Sequence, residues 1–372
     1  MRIVFAAGGT GGHINPALSV AGEIKKRDKN SEILFIGTQD KMEAKLVPAA
    51  GFQLKTIKIS GFQRKPSFEN LKKNLVTLVR MFTSVSEVKS ILKEFKPDAV
   101  IGFGGYVSGP VVRTAAKMGI KTAIHEQNAF PGMTNKALTK LADVTMLTVE
   151  AAKDRMSPKN EPIVTGLPIR EEILNADKSF ARAELGIAKD EILIFSTGGS
   201  LGAKTVNTVM TELMAAISDK NIRFIHGYGQ YGRWVPDRLA ELGVDISDTK
   251  KYDLREYIYN MATCLAAADI VVSRAGASSI SELQALGKTA ILIPSPNVAE
   301  NHQYHNAMDL VNNNAAILLE EKQLSGSLLT ETVRELLADP IRLSEIGNNA
   351  KKMAHTDAKD KICDIIQELV SH

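Results

Sequence analysis

The fold is decided by the stretch from Gly8 to His13, GGTGGH, which directly follows the apolar run from Ile3 to Ala7. The apolar run predicts a buried strand, and the glycines after it predict a tight turn. Asn15-Pro16 then predicts the start of a helix, because asparagine caps helices and proline suits the first helical position. A strand, a glycine turn and a helix N-terminus in this order predict a phosphate cradle of free amides at the positive end of a helix dipole.

The same device recurs in the second half of the chain. Residues 191–197 (EILIFST) predict a strand, and the glycine-rich stretch 198–203 (GGSLGA) follows it directly. Other strand patterns alternate with helical patterns, which predicts parallel sheets joined by right-handed crossovers. The predicted fold class is therefore α/β, with two Rossmann-like domains that face each other across a cleft. The further strands are predicted at 31–36, 97–101, 121–124, 143–148 and 163–164, and then at 223–225, 269–273 and 290–294.

Length and composition predict a globular protein of two domains. The chain has 372 residues, of which 44% are hydrophobic and 24% are charged. Glycine and proline in 165–168 (TGLP) predict a boundary, so that the N-terminal domain spans 1–164 and the C-terminal domain 165–344. The two cysteines, Cys264 and Cys363, have no metal-ligand spacing and favour a reducing compartment. No apolar run is long enough for a signal-peptide core or a membrane span.

Positive charge is concentrated in one segment of the N-terminal domain. The chain has a formal net charge of +4, whereas the segment from Lys55 to Lys96 alone carries +7. Two interpretations remain open: a surface helix that packs on its own domain, and a basic amphipathic surface that docks on anionic lipid. Aromatic residues are scarce at 5% and no nucleic-acid-binding motif occurs, so nucleic acid is not a predicted partner. The apolar residues that recur there at helical spacing, among Lys72, Lys73 and Arg80, are Leu71, Leu75, Leu78, Val79 and Phe82.

Three other motifs are weaker predictors of ligands. Residues 227–232 (GYGQYG) match the dinucleotide fingerprint, but RWVP after them is a poor helix start and indicates a loop. Residues 198–205 (GGSLGAKT) miss the P-loop spacing by one residue. His302 and His305 have a possible metal-ligand spacing but no recognisable third ligand, and the chain contains no Asp-x-Asp pair. We therefore predict no metal and no cofactor, and expect helix N-termini to stabilise the charge of a leaving diphosphate.

Two titratable residues have both a functional and a purely structural interpretation. His13 ends the first glycine turn, where it could act as a base, donate to an anion, or simply pack at the helix entry. Glu282 lies about two turns into the helix that follows the small residues of 273–279, where it could accept from ribose hydroxyls. The alternative for Glu282 is a solvated carboxylate on an ordinary helix.

Seven motifs in a fixed order resemble the MurG family of glycosyltransferases over residues 1–307. The resemblance implies a B-type glycosyltransferase fold, whose N-terminal domain binds a lipid acceptor and whose C-terminal domain binds the nucleotide sugar. The last helix, about 345–372, would cross back to the N-terminal domain. The implied reaction is inverting transfer of N-acetylglucosamine from UDP-N-acetylglucosamine to the C4 hydroxyl of the muramoyl sugar of lipid I, giving lipid II for peptidoglycan. The motifs are GGTGGH, GFGGYVSGP, HEQN, TGLPIR, GGSLGA, SRAGASSISE and HQYHNA, at 8–13, 102–110, 125–128, 165–170, 198–203, 273–282 and 302–307.

The resemblance also implies a role for individual positions. His13 is the favoured base for the acceptor hydroxyl, with Glu126 as its rival, and the Gly104-Gly105 turn would hold the acceptor diphosphate. The other implied positions all contact the donor nucleotide sugar. Between them they contact its sugar and phosphates, its diphosphate, its ribose and its sugar hydroxyls, and a backbone group contacts the uracil edge. In chain order they are Thr10, Gly11, Gly12, Asn128, Arg170, Ser200, Ile258, Ala277, Glu282 and Gln303.

The resemblance further implies a peripheral location on the cytoplasmic face of the bacterial cell membrane. Residues 64–82 would contact the anionic membrane surface, and other cell-wall enzymes are possible partners. Leu201 and Asn301-His302 depart from the family pattern and leave the fine donor contacts open. Two alternatives also remain: a transferase for another lipid acceptor such as a diacylglycerol, and a non-catalytic protein that binds nucleotide sugars.

Overall fold

A computed structural model describes residues 1–59, 83–217, 219 and 221–371, and it divides into two compact units. The first unit comprises Met1–Pro168 together with Thr356–His372, and the second comprises Ile169–His355. The basic stripe predicted from Leu71 to Phe82 lies outside the described residues. Within the described ranges, no helix is long and apolar enough to cross a membrane.

The first unit is built on one sheet of seven parallel strands in the order β3-β2-β1-β4-β5-β6-β7. The strands are β1 (Arg2–Ala7), β2 (Glu32–Gly37), β3 (Gln53–Thr56), β4 (Ala99–Gly104), β5 (Lys121–Glu126), β6 (Val144–Leu147) and β7 (Ile163–Val164). The helices among them are α1 (Gly11–Arg27), α2 (Glu43–Ala49), α3 (described over 83–95), α4 (Ser108–Lys117) and α5 (Met133–Leu138). Because every strand is parallel, the loops after the strands all lie along one edge of the sheet.

The second unit repeats the plan with six parallel strands in the order β10-β9-β8-β11-β12-β13. The strands are β8 (Ile192–Thr197), β9 (Ile222–Gly227), β10 (Tyr252–Arg255), β11 (Ile270–Ser273), β12 (Thr289–Leu292) and β13 (Ile317–Leu318). The helices are α6 (Glu171–Leu174), α7 (Lys178–Glu184), α8 (Lys204–Ala216), α9 (Val235–Glu241), α10 (Met261–Ala267), α11 (Ala277–Leu286), α12 (His302–Val311), α13 (Gly326–Ala338) and α14 (Pro340–Lys352).

The last helix, α15 (Ala358–Ser371), returns to the first unit and completes its core. Ile362, Cys363 and Ile366 are fully buried in the hydrophobic cluster that also contains residues of β1 and α1. At the rim of this contact Arg27 of α1 donates to Asp360 at 2.7 Å. The hydrophobic contact supplies most of the docking energy, because exposed ion pairs contribute little.

The predicted fold class is confirmed, since each predicted strand is present in one of two parallel sheets. Three further strands, β3, β10 and β13, were not predicted. β3 and β10 are edge strands with partly exposed or polar residues, and β13 has only two residues, so none produces an apolar run. The units divide after Pro168 and His355, so α14 belongs to the second unit and α15 to the first. Which unit binds which substrate stays a prediction.

The predicted start of the first helix is wrong. α1 begins at Gly11 with Thr10 as its N-cap, so Asn15 and Pro16 lie inside the helix rather than at its start. Gly11 and Gly12 are helical residues, and they extend α1 towards β1. Pro16 has no amide hydrogen, so the carbonyl of Gly12, four positions earlier, receives no helical hydrogen bond from it. The helix N-terminus therefore lies directly at the glycine turn.

Candidate active site

The first glycine loop is anchored by a buried carboxylate. Glu43 of α2 is fully buried, and its Oε2 accepts from the Gly9 amide at 3.1 Å. Its Oε1 accepts from the amide and the hydroxyl of Thr38, at 3.0 and 2.7 Å. A methyl group on Gly8 would lie 2.7 Å from that same oxygen, so Gly8 must lack a side chain. The carboxylate fixes the loop and takes up one of the amides that the sequence had left free for phosphate.

The predicted donor positions Thr10, Gly11 and Gly12 lie at the N-terminus of α1. No acidic residue occurs in the first turn of this helix, and the Thr10 side chain makes no capping hydrogen bond. The dipole of a 17-residue helix is therefore not offset by its own first turn. This terminus can accept a negative group of a ligand.

A second glycine turn, after β4, lies against the first loop. Gly104 and Gly105 have φ values of +97° and +78°, which favour glycine. A methyl group on Gly105 would lie 2.3 Å from the Gly8 carbonyl oxygen, and one on Gly104 would lie 2.8 Å from His13 Nδ1. The Ser108 hydroxyl braces the turn, since it accepts from the Gly104 amide at 3.1 Å and lies 2.7 Å from the Ala6 carbonyl oxygen. Both glycines are thus required for the loops to meet.

A chain of polar side chains runs inward from His13. His13 is partly buried, and its Nδ1 lies 2.8 Å from Gln127 Oε1. Gln127 Nε2 lies 3.1 Å from His125 Nδ1, and His125 Nε2 lies 2.9 Å from the Gly166 carbonyl oxygen. His125 is fully buried, and desolvation lowers its pKa to about 4 despite its hydrogen bond to Gly166. The motifs GGTGGH, HEQN and TGLPIR therefore share one hydrogen-bonded cluster in the first unit.

Glu126, the predicted rival base, is 2% exposed and engaged at both oxygens. Oε1 accepts from the amide and side-chain nitrogens of Asn128, at 3.0 and 3.2 Å. Oε2 accepts from the Gly132 amide at 3.2 Å and from Asn135 Nδ2 at 2.8 Å. The carboxylate holds the loop after β5 in shape and fixes Asn128, the predicted sugar contact.

In the second unit, two glycine-rich loops pack against each other beyond β8 and β9. A methyl group on Gly202 would lie 2.1 Å from the Tyr228 carbonyl oxygen, and one on Gly229 would lie 2.1 Å from the Gly202 nitrogen. The Gln230 amide donates to the Ser200 carbonyl at 3.2 Å. Gly227 ends β9, and residues 228–232 form the predicted loop, which closes in a short 3-10 turn and braces the loop of Ser200 ahead of α8.

The structure brings together two predicted donor residues of the second unit. Arg170 Nε donates to Glu282 Oε1 at 2.8 Å, and Arg170 Nη1 donates to Glu172 at 2.7 Å. The Glu282 side chain is 13% exposed, whereas that of Arg170 is 48% exposed. Glu282 Oε1 orients the guanidinium of Arg170, and the predicted ribose role of Glu282 stays a prediction. One ion pair thus couples the two predicted roles.

The remaining predicted donor residues lie at loop or helix starts of the second unit. Ile258 is 5% exposed and packs against Gly227. A methyl group on Gly227 would lie 2.8 Å from Cγ1 of Ile258. Ala277 is the first residue of α11, whose first turn contains no acidic residue. Gln303, in the first turn of α12, accepts from the Ser295 amide at 2.8 Å through Oε1. The predicted sugar contact of Gln303 stays a prediction.

Three residues that hold these loops in place were not predicted from the sequence. Glu43 lies 34 residues from the loop that it anchors, so no local pattern connects them. Arg274 donates to the Ile293 carbonyl at 3.0 Å and pairs with Glu321, which ties three strand ends together. Gln127 lies inside HEQN, and its place between two predicted residues of that motif was the available signal.

The histidines with metal-like spacing make other contacts. His302 Nδ1 lies 2.8 Å from the Ala299 carbonyl oxygen, and the rings of Tyr304 and His305 are in edge-to-face contact. Across the described residues, no group of three or more His, Cys, Asp or Glu side chains is arranged to hold a metal ion.

Two parallel-sheet units with glycine-rich loops at their strand ends have the architecture of the B-type glycosyltransferases. Residues 3–147 match the model of the glycosyltransferase family 28 N-terminal domain. Residues 193–362 match the model of the glycosyltransferase family 28 C-terminal domain. Together these matches span most of the chain.

Full-length relatives make the assignment finer. One from Acetivibrio thermocellus, named UDP-N-acetylglucosamine--N-acetylmuramyl-(pentapeptide) pyrophosphoryl-undecaprenol N-acetylglucosamine transferase, is 42% identical over 375 residues, with 100% of this chain and 99% of its own covered. One of the same name from Thermoanaerobacter sp. strain X514 is 44% identical over 371 residues, with 99% and 100% covered. The crystal structure of Acinetobacter baumannii MurG has a TM-score of 0.81 at 27% identity, with 99% of both chains covered. The chain therefore belongs to glycosyltransferase family 28 and, within it, to the MurG family.

Proposed function

We propose that the protein transfers N-acetylglucosamine from UDP-N-acetylglucosamine to the C4 hydroxyl of the muramoyl sugar of lipid I, with inversion at the anomeric carbon. The substrate pair is that named for the full-length relatives. The observation that carries the chemistry is the half-buried imidazole of His13, set between the glycine turn at Gly104 and the side chain of Gln127. Imidazole is the side chain that most often removes a proton in general acid–base catalysis.

The proposed step is a single displacement. The acceptor oxygen attacks C1 of the donor sugar while the C1–O bond to UDP breaks, and His13 takes the hydroxyl proton. UDP leaves with the bonding electron pair, and His13 later releases the proton to water. Arg170, the Ser200 loop that leads into α8, and the helix N-terminus at Ala277 stabilise the leaving diphosphate. No step requires a metal ion.

The first experiment measures UDP release from UDP-N-acetylglucosamine, with and without a lipid I analogue and in excess EDTA. Acceptor-dependent release that persists in EDTA supports both the reaction and the charge stabilisation by helix termini and Arg170. Loss of release in EDTA contradicts that stabilisation. Tight donor binding without release on lipid I would favour another lipid acceptor or a binding protein.

The two predicted bases are distinguished by their variants. We propose His13 as the base and Glu126 as the residue that shapes the Asn128 loop, because all four Glu126 contacts are donors. Glu126→Gln replaces one accepting oxygen by a donor, so it should raise KM for UDP-N-acetylglucosamine about tenfold. His13→Ala should instead lower kcat by about 10²–10⁴-fold with little change in KM. The reverse pattern would make Glu126 the base.

We also propose that the protein docks on the cytoplasmic face of the cell membrane through residues 64–82. The support is the net charge of +7 between Lys55 and Lys96 and the apolar residues at helical spacing from Leu71 to Phe82. Changing Lys72, Lys73 and Arg80 to Glu should abolish binding to vesicles that contain anionic phospholipid. A matched control makes the same charge change at three exposed lysines of the second unit, Lys189, Lys250 and Lys352. Equal binding by the two triple variants would refute the proposal.

A further inference from the structure

The hydrogen-bonded chain behind His13 begins at a group that can only accept. The Gly166 carbonyl oxygen has no hydrogen, and His125 Nε2 lies 2.9 Å from it. His125 Nε2 therefore carries a proton. The ring is fixed in this orientation, because it stacks on the buried ring of Phe103 with centroids 5.2 Å apart and an interplanar angle of 17°.

His125 carries only that one proton at neutral pH. The residue is fully buried, and desolvation lowers its pKa to about 4, with the Gly166 hydrogen bond opposing the shift. A neutral imidazole with its proton on Nε2 has a bare lone pair on Nδ1. His125 Nδ1 is thus an acceptor and requires a donor.

Gln127 meets that requirement in only one orientation. Its Nε2 lies 3.1 Å from His125 Nδ1 and 3.0 Å from the His125 carbonyl oxygen, so both amide hydrogens face acceptors. The reversed amide would place its oxygen against two acceptors in a buried site, which costs about 1–3 kcal/mol for each unsatisfied group. The amide oxygen of Gln127 is therefore the end that faces His13.

An amide oxygen only accepts, so His13 Nδ1, at 2.8 Å, must donate to it. We propose that Gln127 and His125 are positioning residues that hold neutral His13 with its proton on Nδ1, which leaves Nε2 as the basic nitrogen. Within the described part of the chain, Nε2 has no hydrogen-bond partner of its own. The catalytic part of this inference rests on the proposed function.

The arrangement also serves the protonated state. When His13 Nε2 takes the acceptor proton as the new C–O bond forms, both ring nitrogens carry hydrogen. Gln127 Oε1 still accepts from Nδ1, so the imidazolium keeps its position without any rearrangement of the chain. The proton then leaves from Nε2 to water, which restores the same tautomer.

The tautomer can be measured in the wild-type protein without any turnover. Long-range ¹H–¹⁵N spectra of ¹⁵N-histidine protein distinguish Nδ1–H from Nε2–H, and a His13→Gln spectrum assigns His13 among the seven histidines. We expect Nδ1–H for His13 and Nε2–H for His125. A proton on Nε2 of neutral His13 would overturn the proposal, whether or not the protein transfers sugar.

The kinetic test uses Gln127→Met, which keeps the length of the side chain but cannot accept from His13. We expect His13 to shift towards the Nε2–H tautomer, and kcat for UDP release to fall about 10²-fold with KM for the donor within about threefold. Gln284→Met, a buried glutamine of α11, is the matched control and should leave both readouts unchanged. Should Gln127→Met unfold, the wild-type spectrum still decides.

The outcomes separate the two proposals. A wild-type protein with the expected tautomers but no acceptor-dependent release would refute the proposed function and leave the hydrogen-bonded chain intact. Normal kcat in Gln127→Met, or an unchanged His13 tautomer in that variant, would refute the positioning role while the transferase activity stands.

Discussion

His13 can pack against the backbone of residue 104 only because that residue has no Cβ. A methyl group at Gly104 would lie 2.8 Å from His13 Nδ1 and 3.3 Å from Gln127 Oε1. These two atoms are the partners of the hydrogen bond that the imidazole makes. Position 104 thus requires glycine for two separate reasons: its φ is positive, and His13 occupies the space of a Cβ atom. These two requirements can be tested separately.

We expect Gly104→Ala to lower kcat by at least 10²-fold, because the methyl group displaces His13, the proposed general base. Gly119→Ala is the control: it has a similar φ of +74°, but no atom lies within 4 Å of the added methyl group. Both variants should lose about 1–2 kcal/mol of stability from left-handed backbone. Steady-state kinetics and urea unfolding of the two proteins would check this. A comparable kcat loss in Gly119→Ala would mean that stability, not His13, explains the effect.

At the scale of single residues, the candidate site residues on loops could be predicted from the sequence, but the groups that hydrogen-bond to them could not. His13, Gly104 and Glu126 follow strand patterns, and parallel strands bring such ends to one edge. The sequence could not predict that Glu126 is surrounded by four donors, because Gly132 and Asn135 reach it through the shape of the loop. Tertiary hydrogen bonds decide which carboxylate remains available for chemistry.

At the scale of elements, the docking of α15 has a measurable consequence. Ile366 is fully buried, and Ile366→Ala should lower the free energy of unfolding of the first unit by about 2–5 kcal/mol. The neighbouring Cys363 is also buried, and desolvation raises its pKa to about 12, so its thiol is unreactive in the native state. The variant should therefore let a thiol reagent label Cys363 faster, as read by mass spectrometry of the peptides.

The same sample contains its own control for this prediction. Cys264 lies in α10 of the second unit, where desolvation raises its pKa to about 11, and its labelling should not change. Ile341→Ala, at an isoleucine of α14 that is 72% exposed, should affect neither thiol. Faster labelling of both cysteines would indicate global loosening and contradict a local role for α15.

Elements with a continuous apolar pattern could be predicted, and elements without one could not. β1 and β4 are buried on both faces by helices, which requires apolar side chains at successive positions. β3 at the sheet edge has a sequence of QLKT and only partial burial, so its pattern resembles a loop. The start of α1 was misplaced because two helical glycines have no propensity for the helix they begin.

At the scale of the whole molecule, each unit contains one fully buried neutral histidine among its described residues. Desolvation lowers the pKa of His125 in the first unit and of His226 in the second to about 4. The unfolded chain binds a proton at these groups below about pH 6.5, whereas the native state does not until about pH 4. Each unit should therefore keep its full stability above about pH 6.5 and lose about 1.4 kcal/mol per pH unit as the pH falls towards 4.

The second unit allows a clean measurement, because Trp234 is the one tryptophan of the chain. Denaturant unfolding followed by its fluorescence should show a loss of about 2 kcal/mol between pH 6.5 and pH 5. His226→Gln removes the titrating group and should flatten this dependence, whereas His125→Gln should leave the tryptophan signal unaffected. An equal slope in wild type and His226→Gln would show that other groups control the acid response.

The return of α15 to the first unit constrains the order of events on the ribosome. Its residues are made only after all of Ile169–His355 has been synthesised. Until then, the apolar side of α1, β4 and β5 that α15 packs against is still exposed to water. The second unit is continuous in sequence and is complete before α15 is made, whereas the first unit is incomplete until then. The nascent first half must stay soluble with an open core, and any chain released before α15 is made leaves that core exposed to water.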